Sequence, residues 1–342
     1  MKTSEFDFNL PPELIAQHPL EKRSQSRLLV VHKQSHQLEH QHFFDLPSFL
    51  KAGDVLVRNN TRVIPARLFG IKEETGAHIE LLLLKQKGDV WECLVGNSKA
   101  VKLNSIVSFN QGELKARCVG IGEKGIRQME MIYTGLFLEV LEQLGQVPLP
   151  PYIREKLDDP ERYQTVYATV QGSAAAPTAG LHFTDEIFEQ LRTKGVIIAD
   201  VTLHVGLGTF RPMDTEIIED HIMHSEVYSI PSETATLLNH AKAEGRRIIT
   251  VGTTTTRVLE TALSEHEQFQ ECCGETDIFI FPGYKWKAVD CIITNFHLPK
   301  STLLMMMCSF ATKELITSAY EQAIAQQYRF FSFGDSMLIT ND

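Results

Sequence analysis

The spacing of apolar and polar residues changes once along this chain, and that change limits what it can fold into. Between about residues 70 and 133 the sequence reads HIELLLL, VWECLVG, SIVSF, LKARCVGI and IRQMEMIY, separated by QKGD, GNSK, FNQGE and GEKG. Short strands at spacings of about 8 to 12 residues, punctuated by Gly and Asn, predict a small antiparallel barrel or sandwich without a helix inside it. A helix-like FLEVLEQLG follows and leads into QVPLPPYI, whose prolines mark a boundary or a fixed connection.

From residue 184 onward helices and strands alternate. Thr184 is placed to cap TDEIFEQLRTKG, with Asp185 and Glu186 in the first turn and Gly195 at the stop. VIIADVTLHV suits a strand buried on both faces. Ser232 opens a second helix, RRIITVG is a strand, DIFIFPG and AVDCIITNF are two more, STLLMMMCSFATKELITSAYEQAIAQ is helical, and FFSFGDSMLIT holds the last strand. This alternation predicts an α/β fold with a parallel or mixed open sheet covered by helices.

Composition narrows the class. A length of 342 residues admits two or three domains, and 43% hydrophobic with 22% charged residues excludes disordered and fibrous chains. The first residues carry no apolar core of a signal peptide, and TLLMMMCSFA is far shorter than the ~20 residues a membrane span needs, so a cytoplasmic protein is expected. The six cysteines form no C-x-x-C pair and are expected to be reduced. Nothing demands an obligate partner, which favours a monomer.

The net charge of −10 is unevenly spread, because Arg58 to Arg127 carries twelve Lys and Arg against seven Asp and Glu, a local +5. Arg58, Arg62, Arg67 and Lys72 fall in a run without an acid. Such a segment is either a footprint for a polyanion or a solvated basic face.

Unusual polar motifs recur where predicted strands run out, the place where open α/β sheets hold ligands. VGTTTTRVLE ends a strand and starts a helix, so its amides and Thr253, Thr254 and Thr255 could hold an anion or a ribose, with Arg257 as a fixed charge; a capped helix start explains it equally well. It has neither the G-K-[ST] of a P-loop nor G-x-G-x-x-G. In TNFHLPKST, capping accounts for Ser301 but leaves Asn295 and His297 unexplained. LHVGLGTFRP contributes His204 with Gly206 and Gly208, which permit close backbone approach. HIMHSEVY gathers His221, His224 and Glu226, readable as a hydrogen-bonded cluster, as proton-transfer groups or as a metal site if the histidines share a helix face. The aromatics of YRFFSFGDSM read as core before they read as base-stacking groups. Finally, GSAAAPTAGLHFT, residues 172–184, is neither helix nor strand by pattern; its small residues suit either a tight connection or a wall against which something else lies close.

Together PTAGLHF, TLHVGLGTF, HIMHSE, VGTT, TNFHLP and YRFFSFGD, with NNTRVIPARL and VPLPPYI upstream, make the chain similar to the S-adenosylmethionine:tRNA ribosyltransferase-isomerase family over essentially its whole length. That resemblance implies transfer and isomerisation of the ribosyl group of S-adenosylmethionine onto 7-aminomethyl-7-deazaguanine at the tRNA wobble position, giving epoxyqueuosine and releasing adenine and methionine. It implies an α/β domain of residues 1–66 and 151–342 interrupted by a β-barrel insert of residues 67–150, with S-adenosylmethionine as co-substrate and no metal. A base must take a proton from the sugar carbon beside the sulfonium, for which His182, His204, Glu226 and His297 are candidates. Thr178, Ala179, Gly180, Leu181, Phe183, Gly206, Thr253, Thr254, Arg257 and Asn295 are the expected co-substrate contacts, and Arg58, Arg62 and Arg67 the expected tRNA contacts. Phe333 stands where the family usually has tyrosine, and Cys308 where it has alanine. The rival readings are a non-catalytic RNA- or nucleotide-binding protein and a metal-dependent hydrolase built on His221, His224 and Glu226.

Overall fold

The structure, a computed structural model, describes residues 1–206, 213 and 215–341. Strands β1 (Arg27–His32), β2 (Leu38–His42), β3 (Val55–Asn59) and β4 (Thr61–Val63), with the one-turn helix α1 (Leu46–Phe49), precede six barrel strands. The barrel consists of β5 (Arg67–Lys72), β6 (His78–Lys87), β7 (Val90–Gly96), β8 (Ile106–Phe109), β9 (Leu114–Ile121) and β10 (Ile126–Tyr133), and α2 (Phe137–Leu144) follows it. The rest of the chain runs β11 (Val170–Ser173), α3 (Asp185–Thr193), β12 (Ile197–Leu203), β13 (Glu226–Ile230), α4 (Ser232–Ala243), β14 (Ile248–Val251), α5 (Gly252–Glu265), β15 (Cys272–Thr276), β16 (Cys291–Asn295), α6 (Thr302–Phe310), α7 (Lys313–Ala325) and β17 (Ser336–Thr340).

The barrel closes in the order β10-β7-β6-β5-β8-β9, with every pairing antiparallel. Alternate residues such as Ile79, Leu81 and Leu83 point into an apolar core of the barrel's own, and Gly70 lies under the Phe109 ring, where an added Cβ would come within 2.6 Å of it. Of the two expected forms it is the barrel. Its first strand, β5, precedes the strands expected from the sequence.

The nine-stranded sheet has the order β15-β13-β12-β3-β14-β16-β17-β1-β2. Its central strands β12, β3, β14 and β16 are mutually parallel; β17 runs antiparallel to β16, and β1 runs parallel to β17. The sheet is therefore mixed. Helices on both faces make every residue of β14, β16 and β17 buried, as the continuous apolar runs require. The pleat divides each strand between two cores: Val55 and Val57 of β3 join one, with α5, α6 and α7, and Leu56 joins the other, with α3.

Several elements depart from the sequence reading. DIFIFPG is not a strand; the paired strand is the preceding Cys272–Thr276, hydrogen-bonded to β13. The long C-terminal helix is two helices, because Ala311 leaves helical geometry and the Thr312 hydroxyl caps a new start by accepting from Leu315 N at 3.2 Å. Ser232 lies inside α4 without capping it, whereas Thr184 caps α3 as expected. The six cysteines are unbridged, and among the described residues no helix is long and apolar enough to cross a membrane.

One side chain joins the two strands at the edge where the motifs gather. Asn59, fully buried at the end of β3, accepts from Leu203 N at 3.0 Å and from Thr61 N at 3.2 Å, and donates to Leu203 O at 2.9 Å. It continues the β3–β12 ladder with an amide side chain after the main chain has turned away. Asn59→Ala leaves these groups buried and unpaired, and is expected to cost roughly 2–4 kcal/mol in urea unfolding. A loss under 1 kcal/mol would show that the ladder does not depend on it.

Candidate active site

Parallel alignment brings the carboxyl ends of β12, β3, β14 and β16 to one edge of the sheet, and the antiparallel β17 and its parallel neighbour β1 bring their amino ends to the same edge. Across this edge runs the small-residue stretch. Pro177 sets its direction, residues Thr178–His182 form tight 3-10 turns, and Ala174, Ala175, Ala176 and Ala179 are all buried. Gly180 is required by protein packing: a Cβ there would lie 2.0 Å from the Tyr167 hydroxyl.

A cleft enclosing about 640 Å³, including its open mouth, is lined by Ala176, Pro177, Thr178 and Ala179 from this stretch, by Gly252, Thr253 and Thr254 from the start of α5, and by Thr294, Asn295 and His297 from the end of β16. Val205, which follows β12, and Tyr152, Ser301, Phe331 and Ser332 complete much of the wall. Segments separated by more than a hundred residues thus share one cavity. Gly252 has φ +88°, a turn that lets α5 start abruptly, and no side chain caps this 14-residue helix, so its positive end faces the cleft. Thr255 and Thr256 do not contribute, since both hydroxyls bond back to carbonyls one turn earlier.

A chain of buried polar groups backs the cleft. Thr178 Oγ1 donates to Asn295 Oδ1 at 2.9 Å, Asn295 Nδ2 meets His182 Nε2 at 2.9 Å, and His182 Nδ1 meets Ser26 Oγ at 2.8 Å. The amide donation makes Nε2 of His182 the acceptor, so Nδ1 carries the proton toward Ser26. His182 therefore stands behind Asn295, outside the cleft wall, and lines a smaller pocket on the far side. His297, which does line the cleft, is held by Thr294 Oγ1 at 2.8 Å, while its backbone N–H donates to the Tyr320 hydroxyl. Tyr152 and Ser332 hydroxyls meet at 2.7 Å across another part of the wall.

The remaining expected residues are dispersed. Arg257 lies in the core, its guanidinium paired with Glu226 and donating to Thr276 O, so its charge is spent on a buried carboxylate. Burial by itself would raise the Glu226 carboxyl, but Arg257, His224 at 3.3 Å and the Gly206 amide at 2.9 Å outweigh it and hold the group below its usual range. His204 is half-buried with Nδ1 2.8 Å from Thr61 Oγ1, and burial lowers its pKa. Leu181 lines the smaller pocket and Phe183 packs between Phe43 and Phe188. Gly208 lies outside the described residues.

His221 and His224 are not on a helix; the segment between Asp220 and β13 is extended, His221 packs edge-on to Phe279, and among the described residues no three His, Cys, Asp or Glu side chains are gathered closely enough to hold a metal. Phe333 packs edge-on against Tyr163 in a small apolar cluster, as a core aromatic. Arg58 is clamped by Asp200 at 2.6 Å and stacked on Tyr167 and Phe188. Arg62 and Arg67 instead line a groove beside the barrel, with Arg154 and Lys156, and are paired to Glu161 and Glu80.

Burial drives the pKa of His297 down to about 3, and burial followed by the fields of Arg329 and Arg23 drives that of His182 to about 3. Both are neutral in the folded protein where the unfolded chain, near 6.5, takes up protons. Their contribution to stability is complete above pH 6.5 and is lost as the pH falls toward 3. At pH 5 the loss is expected to be about 2 kcal/mol for each histidine. Urea unfolding at pH 7.5 and pH 5 should show His297→Gln with a smaller acid loss than the unsubstituted protein by about that amount; an equal loss would mean that His297 is not held neutral.

The model of a family described as queuosine biosynthesis protein matches residues 3–339. Among solved structures the chain is similar to the crystal structure of S-adenosylmethionine tRNA ribosyltransferase from Thermotoga maritima, with 38% sequence identity, a TM-score of 0.58, and coverage of 98% of this chain and 100% of that one. The motifs that line the cleft all fall inside the matched span, as do the barrel and both flanks of the sheet. The chain belongs to the queuosine biosynthesis protein family.

Proposed function

We propose that this protein is an S-adenosylmethionine-dependent tRNA ribosyltransferase-isomerase. It transfers and isomerises the ribosyl group of S-adenosylmethionine onto 7-aminomethyl-7-deazaguanine at the tRNA wobble position, giving epoxyqueuosine and releasing adenine and methionine. Family membership supports the reaction class, and one structural observation supports its location: the Ala-rich stretch, the Thr cluster and Asn295 line a single cleft at the carboxyl ends of parallel strands.

In this reading Thr178, Ala179, Thr253, Thr254 and Asn295 hold the nucleoside sulfonium, with a largely uncharged wall against its sugar. His297 is the one of the four proton-transfer candidates that lines the cleft; burial holds it neutral, and with a pKa of about 3 it becomes an effective base only when negative charge arrives beside it. Negative charge developing on the departing adenine would stabilise the resulting imidazolium. His182 orients Asn295 through their shared hydrogen bond. Residues 67–150 act as a domain inserted into the α/β domain of residues 1–66 and 151–342. The protein works as a cytoplasmic monomer, and Arg62 and Arg67 contact the tRNA backbone from their groove; Arg58 supports them from its clamped position.

Incubation with S-adenosylmethionine and tRNA carrying 7-aminomethyl-7-deazaguanine should release adenine and methionine in equal amounts; adenine release that does not depend on that tRNA would overturn the assignment. His297→Ala should retain co-substrate binding within a few-fold and lose roughly 100-fold or more in turnover, and full turnover would remove His297 from the chemistry. Reversing Arg62 and Arg67 to glutamate should weaken tRNA binding and flatten its salt dependence, whereas an unaltered slope would place the RNA elsewhere.

A further inference from the structure

Behind the cleft lies a second, smaller pocket, half open to solvent and lined by Arg23, Arg162, Leu181, His182, Ser332 and Gly334 among others. It adjoins the cleft through Ser332, which borders both. Its guanidiniums meet carbonyls and no carboxylate. Arg23 donates only to the carbonyls of Leu181 at 3.2 Å and Glu161 at 3.0 Å, and Arg162 to that of Leu20. Arg329, close enough for its field to act on His182, donates from Nη2 to His18 O.

None of these three guanidiniums forms an ion pair among the described residues, although all three are half-buried. The nearby acids reach these guanidiniums through their fields and not by contact: Asp159 and Glu161 act on Arg23 and Asp335 on Arg329, while Glu161 is paired with Arg62 and Asp335 with Arg27. Two donors, Arg162 Nε and Arg329 Nη1, have no hydrogen-bond partner among the described residues, and both atoms are buried. Buried guanidinium N–H groups without acceptors are costly, and like charges gathered without a carboxylate in contact add to that cost. An oxyanion would remove both costs at once, since guanidinium N–H groups match its oxygens in pairs.

We infer that the Arg23–Arg162 pocket, with Arg329 beside it, binds a phosphodiester of the substrate RNA next to the reacting nucleotide. This rests on the proposed function and deepens it. The pocket lies against the opposite face of His182 from Asn295, so the RNA backbone is anchored one side chain away from the cleft wall. An anion there also screens the two arginines whose fields depress His182, which links RNA docking to the proton affinity of that imidazole.

The test is binding of an anticodon stem-loop carrying 7-aminomethyl-7-deazaguanine, measured against salt concentration, for the unsubstituted protein, Arg162→Gln and Arg162→Lys. Loss of one phosphate contact should lower the slope of log affinity against log salt by about 0.7–0.9 in Arg162→Gln, with Arg162→Lys retaining most of it and S-adenosylmethionine affinity unchanged in both. Arg23→Gln gives the same readout from the other wall, should Arg162→Gln fail to fold. An unchanged slope in the folded variants overturns the inference. So does a loss confined to S-adenosylmethionine affinity, which would assign the pocket to the carboxylate of the co-substrate. Adenine release by the unsubstituted protein is scored separately, so failure of the reaction assignment is distinguishable from failure of the pocket.

Discussion

Main-chain groups that run out of ladder partners at the carboxyl ends of parallel strands must find new partners, and that constraint shapes this molecule. At the end of β3 the need is met by Asn59, whose side chain takes over the pairing with Leu203. At the end of β14 the chain turns through Gly252 into a helix without a side-chain cap. At the end of β16 it passes through Asn295 and His297 into the Ser301-capped α6. The three solutions differ, yet each places polar atoms at the same edge, and the resulting cleft is a product of strand geometry before it is a product of any one residue.

The polar chain behind the cleft is expensive to bury. Thr178, Asn295, His182 and Ser26 satisfy one another in sequence, and their energetics favour a single arrangement because turning away Asn295 or His182 breaks bonds to two others. Two imidazoles are kept neutral by the same burial. The Glu226–Arg257 pair works differently: it brings a carboxylate and a guanidinium together within the core, apart from the residues that line the cleft.

Much of the site was legible from local pattern. Thr253, Thr254, Asn295 and His297 belong to motifs at strand ends and Thr178 and Ala179 to the small-residue stretch, and all line the cleft. Arg257 misled because its partner, Glu226, lies 31 positions away and its pairing leaves no trace in the local sequence. His182 sits in the expected stretch, but the turn at Thr178–His182 rotates it to the far side of Asn295. Tyr152, Ser26 and Ser332 went unnoticed, since a lone hydroxyl in a connection carries no signal of its own. Thr312 had a capping signal, but the continuous apolar run around it concealed the break between α6 and α7.

Sequence by itself determined the antiparallel character of residues 70–133, the alternation of helix and strand that follows, and the family to which the chain belongs. These are encoded in neighbours a few positions apart, where periodicity and turn chemistry act. Tertiary structure alone decided the strand order, and with it which ends share an edge. Because β17 enters antiparallel to β16 with β1 beside it, the residues just before β1 reach the smaller pocket behind the cleft, bringing Ser26 to His182 and Arg23 to the pocket that Arg162 also lines. Pairings across such distances depend on how whole elements pack, and no short window of residues contains that information.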